Sequence, residues 1–135
     1  MPEQPSVPTP PPPAWSIPPE QAAATAARFV ADTVAEAGAA GVVVGLSGGI
    51  DSAVAAALAV RGLGAGRVLG IFLPYVTSAP TSLADARAVA EQLGLRTELH
   101  DITPLVDALR QRFPDADRLR LGNVMARVRM LHLFD

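Results

Sequence analysis

The 135-residue sequence contains no cysteine and no lysine. Without cysteine there is no disulfide, no thiolate metal site and no thiol nucleophile. Without lysine there is no Walker A loop, in which a lysine follows the glycines. All 11 basic residues are therefore arginines, and the formal net charge of −2 argues against a general nucleic-acid binder. No apolar run approaches the ~18–20 residues that cross a bilayer. The N-terminus has no apolar signal core, so the expected compartment is the cytoplasm, with no membrane partner. Histidine is scarce as well: His100 and His132 are the only two, and both read as structural or surface residues. Apolar residues, by contrast, make up 50 % of the chain, enough for one domain with a packed core that buries roughly two-thirds of the unfolded surface.

The sequence is organised around Val42-Val43-Val44-Gly45-Leu46-Ser47-Gly48-Gly49-Ile50-Asp51-Ser52. The β-branched run reads as a central parallel strand buried on both faces. Gly48 and Gly49 free the backbone for a tight loop and for close approach of a ligand. A helix from about Ile50 to Val60 follows, and its first N–H groups and macrodipole point at that loop. Ser47 and Ser52 carry hydroxyls able to donate to phosphate oxygens. Asp51 fits a phosphate site once Mg²⁺ bridges carboxylate and phosphate. A plain turn, with Asp51 or Ser52 as helix cap, would use the same residues. The spacing is not G-x-G-x-x-G.

Residues 1–19 are proline-rich and are expected to form a disordered tail, with Trp15 and Ile17 pinning its end to the domain. Pro18-Pro19-Glu20 opens a helix to about Ala37, with Phe29, Val30 and Val34 as its apolar stripe and Gly38 as its stop. The helix after the loop is apolar nearly all round (Ala53, Val54, Ala57, Leu58, Val60), which predicts packing on both sides. Arg67 to Leu73 is a second strand. Tyr75 to Pro80 form a loop at its C-terminal end, the ligand edge of an open α/β sheet. Ser82 to Asp85 resembles a capping box opening a helix whose face is Leu83, Ala86, Ala90 and Leu93. Leu95 to Ile102 is a third strand. Thr103-Pro104 caps a helix with Leu105, Val106, Leu109 and Phe113 inward. Leu119 to Asp135 is a last helix with Leu121, Val124, Val128 and Leu131 inward. Arg120, Asn123 and Arg127 form a separate polar stripe, which composition alone reads as solvated. Strands alternating with helices predict an α/β fold: a parallel open sheet flanked by helices.

Ser47-Gly48-Gly49-Ile50-Asp51-Ser52 is similar to the S-G-G-x-D-S signature of the PP-loop ATP pyrophosphatases, which have a Rossmann-like adenine nucleotide alpha hydrolase fold. Gly41–Ser52, Val68–Tyr75, Asp101-Ile102-Thr103-Pro104 and Gly122-Asn123-Val124-Met125-Ala126-Arg127-Val128-Arg129-Met130 together resemble the NAD⁺ synthetase family. The resemblance covers about Ala22 to Asp135, and residues 20–135 are expected to form the N-terminal part of that family's ATP-pyrophosphatase domain. It implies ATP and Mg²⁺ as cofactors, and amidation of deamido-NAD⁺ by ammonia through an adenylate, giving NAD⁺, AMP and diphosphate. By resemblance, Gly45, Leu46, Ser47, Gly48, Gly49, Ile50, Asp51 and Ser52 bind ATP, Asp51 ligates Mg²⁺ and Arg127 contacts deamido-NAD⁺. No side-chain nucleophile is implied. The last helix is implied in a homodimer interface. In the family, a further acid-bearing strand end and phosphate-neutralising lysines follow the position of Asp135. The chain is therefore expected to be truncated and incomplete for catalysis, and to take ammonia that it does not itself generate. The alternatives are a non-catalytic nucleotide-binding fragment, or another PP-loop amidating enzyme.

Overall fold

The computed structural model describes residues 16–135. The elements run α1 (Pro19–Glu36), β1 (Val42–Gly45), α2 (Ile50–Leu63), a single 3₁₀ turn, β2 (Val68–Phe72), α3 (Pro80–Gln92), β3 (Arg96–Leu99), α4 (Thr103–Arg112) and α5 (Arg118–Phe134). The strands form one parallel sheet in the order β1-β2-β3. Val42 pairs with Val68 and Gly45 with Ile71, while Leu69 pairs with Arg96 and Phe72 with Leu99. The expected parallel α/β sheet is thus present.

Side chains of a strand alternate between faces, and β2 separates two cores on this basis. Ile71 and Leu73 join Tyr75, Ile102, Val106 and Val128 under α4 and α5. Phe72 joins Leu46, Ala56, Ala86 and Ala90 under α2 and α3. Ile102 and Val106 are fully buried at 0 % exposure. The α3 face expected from Leu83, Ala86, Ala90 and Leu93 is the one that packs.

Several expectations are corrected. Among the described residues β2 takes the middle position of the sheet and β1 one side of it, and Val43 is 46 % exposed rather than buried on both faces. Strand order depends on how the chain crosses over, which a local apolar run does not encode. α1 buries Ala27 and Val34, while Phe29 is 69 % exposed. The reason lies across the interface, where α2 presents Gly62 so close to Ala27 that an ideal Cβ would stand 2.3 Å from the Ala27 carbonyl oxygen. Two helices approaching that closely need small residues between them, and the large Phe29 points elsewhere. α2 packs on the sheet and α3 through Ala56 and on α1 at Gly62, while its apolar Val54 and Ala57 are exposed. α3 begins at Pro80, with Ala79 at the N-cap and no side-chain cap, so Ser82 lies inside the helix and makes no capping box. β3 ends at Leu99, three residues short of the expected Ile102, and its four residues are all exposed.

In α4 only Val106 of the expected inward set is buried; Leu105, Leu109 and Phe113 are exposed. The Asp101 carboxylate, rather than Thr103-Pro104 alone, holds the start of α4 by accepting from the Thr103 N–H at 2.8 Å. In α5 Leu131 is exposed, and Met125 and Leu133 pack in its stead beside Leu121, Val124 and Val128. Asp117 caps α5, accepting from the Arg120 N–H at 2.7 Å. Of the expected tail, Pro19 already belongs to α1 and Ile17 is exposed rather than pinned. The expectations for Trp15 and the prolines before it lie outside the described residues. Among the described residues no helix is long and apolar enough to cross a membrane.

Candidate functional site

β1 runs out at Gly45, and the chain turns through Leu46-Ser47-Gly48-Gly49 before α2 begins at Ile50. Leu46 anchors the turn in the core, and its N–H donates to the Ile71 carbonyl at 2.9 Å. Gly48 has φ of +85°, a region that L side chains rarely adopt, and an ideal Cβ there would lie 2.3 Å from the Ser82 carbonyl oxygen. Glycine is required at this position on both counts, and the loop is seated on the first turn of α3.

The two serines close the loop on itself. Ser52 Oγ donates to the Gly49 carbonyl at 3.0 Å and accepts from the Ser47 N–H at 3.2 Å. Ser47 Oγ accepts from the Gly49 N–H at 3.2 Å and lies 3.1 Å from Ser52 Oγ. Since the one Ser52 proton is used on Gly49, Ser47 is the donor of that hydroxyl pair. Both hydroxyls are therefore engaged within the loop, and they reach an anion only by exchanging these bonds. The first intrahelical bond of α2 is Ala53 N–H to the Gly49 carbonyl at 3.2 Å. The N–H groups of Ile50, Asp51 and Ser52 precede it and have no protein partner among the described residues. Such a set of open donors at a helix start is suited to phosphate.

The loop borders a cavity of about 390 Å³ at the C-terminal edge of the sheet, within the rough 300–1,000 Å³ range of small-molecule sites. Gly45, Leu46 and Ser47 form one wall, Ile71 to Pro74 of β2 and its exit another, Ser82 and Leu83 of α3 a third, and Arg129 and Leu133 of α5 the fourth. Gly45 keeps α5 close, since a Cβ there would lie 3.3 Å from the Leu133 side chain. Gly48, Gly49, Ile50, Asp51 and Ser52 continue the loop from Ser47 and do not line the cavity. Asp51 is exposed in the first turn of α2.

Arg127 and Arg129 are separated by about 200° around α5, so they look to opposite sides. Arg127 is exposed and outside the cavity; Arg129 is half-buried and lines it. Arg129 Nε donates to the Leu73 carbonyl at 3.1 Å, and burial pulls its guanidinium below the ordinary value. Arg129 is the cavity residue that sequence reasoning missed. A signal was present: Leu121, Met125, Arg129 and Leu133 form one i±4 row, and its other three members pack against the core. A charge within an apolar row points into something other than solvent.

The loop after β2 is fixed on its far side. Tyr75 is buried; its hydroxyl donates to Asp107 Oδ1 at 2.9 Å and accepts from Arg110 Nη1 at 2.9 Å. The bond from Arg110 to Tyr75 is the main reason that its guanidinium stands above the ordinary value. His100 bonds Glu98 at 3.1 Å, and its ring centroid is 5.3 Å from that of His132. Neither histidine lines the cavity.

A parallel sheet with helices on both faces, and an anion-ready glycine loop beside a cavity at the C-terminal strand ends, define a Rossmann-like nucleotide-binding fold. The model of the NAD synthase family matches residues 22–135, and the chain belongs to that family. It is 50 % identical over 107 residues to the NH₃-dependent NAD⁺ synthetase of Chlorobaculum parvum, covering 79 % of this chain and 39 % of that protein. It is 44 % identical over 118 residues to the enzyme of the same name from Pyrobaculum aerophilum, covering 85 % and 44 %. Among solved structures it is similar to the NH₃-dependent NAD synthetase of Campylobacter jejuni in complex with nitrate, at TM-score 0.82 and 32 % identity, covering 89 % of this chain and 52 % of that one. It is also similar to a glutamine-dependent NAD⁺ synthetase of Acinetobacter baumannii in complex with ADP, at TM-score 0.80 and 31 % identity, covering 85 % and 23 %. The chain thus spans about two-fifths of the curated relatives it matches.

Proposed function

We propose that this chain carries the ATP site of an ammonia-dependent NAD⁺ synthetase. The whole reaction has two steps. The nicotinate carboxylate of deamido-NAD⁺ attacks the α-phosphorus of ATP, expelling diphosphate and leaving a mixed anhydride with AMP. Ammonia then attacks the activated carbonyl, giving the amide of NAD⁺, AMP and a proton. A carboxylate is a poor electrophile, and the AMP leaving group removes that difficulty. The protein is needed to position the two substrates and to neutralise phosphate charge.

One observation carries the reading: the Ser47–Ser52 loop presents open helix N–H groups beside a cavity at the ligand edge, in a chain of this family. The Acinetobacter relative with ADP bound supports an adenine nucleotide as occupant. In this reading Gly45, Leu46, Ser47, Gly48, Gly49, Ile50, Asp51 and Ser52 form the ATP loop. The apolar walls of the cavity take the nucleoside, and the N–H groups of α2 take the phosphates. Exchange of the Ser47–Ser52 hydroxyl bonds for phosphate oxygens accompanies binding.

Asp51 would hold Mg²⁺. Its carboxylate is exposed beside the open N–H groups, and no cluster of three ligand-type side chains occurs among the described residues. That donor set fits an ion bound through one or two carboxylates plus phosphate and water, not an all-protein cage. When bound, the ion would offset phosphate charge. Arg127, on the outward side of α5, would meet deamido-NAD⁺. The exposed Met130, Leu131 and Phe134 on the same helix support a homodimer through α5. The proposed setting is the cytoplasm, with free ammonia as nitrogen donor.

The test is NAD⁺ formation by the full-length protein with ATP, Mg²⁺, ammonium and deamido-NAD⁺, read with a coupled dehydrogenase. Turnover that falls to background in Asp51→Asn is expected. ATP cleavage indifferent to deamido-NAD⁺ would assign another acceptor.

A further inference from the structure

Among the described residues the cavity has one charged side chain, Arg129, and no Asp or Glu lines it to balance that charge. The guanidinium is partly withdrawn from water, which costs free energy unless an anion or hydrogen-bond acceptors compensate. The protein compensates at one nitrogen: Nε donates to the Leu73 carbonyl. Nη1 and Nη2 have no hydrogen-bond or ion-pair partner among the described residues. The Nε bond also fixes where the planar head can lie, because Leu73 sits at the exit of β2 on the cavity wall. A tethered guanidinium with its Nη edge open is the arrangement that receives two oxygens of a phosphate.

We propose that Arg129 is a phosphate-binding residue of the nucleotide cavity, its Nε anchored on the Leu73 carbonyl and its Nη edge taking phosphoryl oxygens of a bound nucleoside triphosphate. The inference deepens the ATP-site reading and rests on it. α5 then serves two sites at once, Arg129 facing the triphosphate and Arg127 the opposite side. Among the described residues Arg129 is the cation that the cavity brings to the phosphates, in addition to the neutral N–H donors of the loop.

Arg129→Gln separates the two duties of the side chain. The glutamine Nε2 can occupy the position of the arginine Nε and still donate to the Leu73 carbonyl, whereas the cationic head is gone. Calorimetric titration of the chain with ATP and, separately, with adenosine reads the difference. In Arg129→Gln, ATP affinity is expected to fall about 10- to 100-fold, the usual range for losing a charge-assisted pair of hydrogen bonds. Adenosine affinity should stay within about threefold, and Arg129→Lys should recover part of the ATP affinity. Unchanged ATP binding in Arg129→Gln would overturn the assignment, as would equal losses for ATP and adenosine, which indicate a purely structural arginine. Absence of ATP binding by the folded unsubstituted chain would overturn the nucleotide reading itself.

Discussion

Two helical glycines answer the same substitution with opposite signs. Gly62 lies near the end of α2 and Gly122 in the second turn of α5. In an exposed helix interior, Gly→Ala gains about 0.8–1.0 kcal/mol, because the unfolded chain loses freedom that glycine has in excess. At Gly122 nothing lies within 4 Å of an added Cβ, so the full gain of up to ~1 kcal/mol is expected. At Gly62 the added Cβ stands 2.3 Å from the Ala27 carbonyl oxygen and 3.1 Å from its carbon. That is about 1 Å short of ordinary contact, and the obstacle is helix backbone, which cannot rotate away. Separating α1 from α2 costs in the upper part of the ~1–3 kcal/mol range for overpacking. Set against the propensity gain, a net loss of about 1–2 kcal/mol remains. In urea unfolding followed by helical circular dichroism, Gly62→Ala should lower the midpoint by about 0.5–1 M, with unchanged slope, and Gly122→Ala should raise it. A Gly62→Ala chain as stable as the original would refute the close α1–α2 packing on which the exposed position of Phe29 depends. A destabilised Gly122→Ala would mean that α5 has a neighbour at that glycine in solution.

Asp51→Asn should leave the circular dichroism unchanged and remove the Mg²⁺-dependent part of ATP affinity, roughly tenfold or more. Superimposable ATP titrations with and without the substitution would exclude Asp51 as the metal ligand. In the full-length protein, Arg127→Ala should raise the KM for deamido-NAD⁺ by about tenfold or more and that for ATP by much less; equal effects would point to a structural arginine. Asp101 gives a pH dependence. The bond from the Thr103 hydroxyl, then that from the Thr103 N–H, hold its carboxyl below the ordinary value. A depressed folded value means that the contribution is present above the unfolded pKa and lost as pH falls through the folded one. Asp101→Asn should therefore flatten the acid limb of the stability profile; an unchanged limb would remove Asp101 from the capping of α4.

The parts of this structure written in local sequence were legible, and those set by distant packing were not. The β1–loop–α2 junction reads directly from Val42 to Ser52, because a β-branched run, a positive-φ glycine and a helix start are all short-range features. So do the ends of α1 and α3, where Gly38 and Gly94 adopt φ of +63° and +66°. The order β1-β2-β3 among the described residues is set by how the chain crosses over, and nothing between Val42 and Gly45 encodes it. Hydropathy places Phe29 in the core, but an interface as close as that at Gly62 selects alanine over phenylalanine. On α5, Leu131 and Leu133 are equally apolar, and only the helix's crossing over the end of β1 decides that Leu133 packs and Leu131 does not. In the site, the loop was visible as a motif, whereas Arg129 depended on the carbonyl of Leu73, 56 residues away.

The most direct test of the central claim is the amide chemical-shift footprint of ATP with Mg²⁺ on the isotopically labelled chain. The account predicts shifts at Gly45 to Ser52, at Ile71 to Leu73, at Ser82 and Leu83, and at Arg129 and Leu133, which belong to the loop and the four walls of one cavity. β3 and the exposed side of α4 should stay silent. Shifts centred on those elements instead, or a folded chain whose spectrum does not respond to ATP, would contradict it.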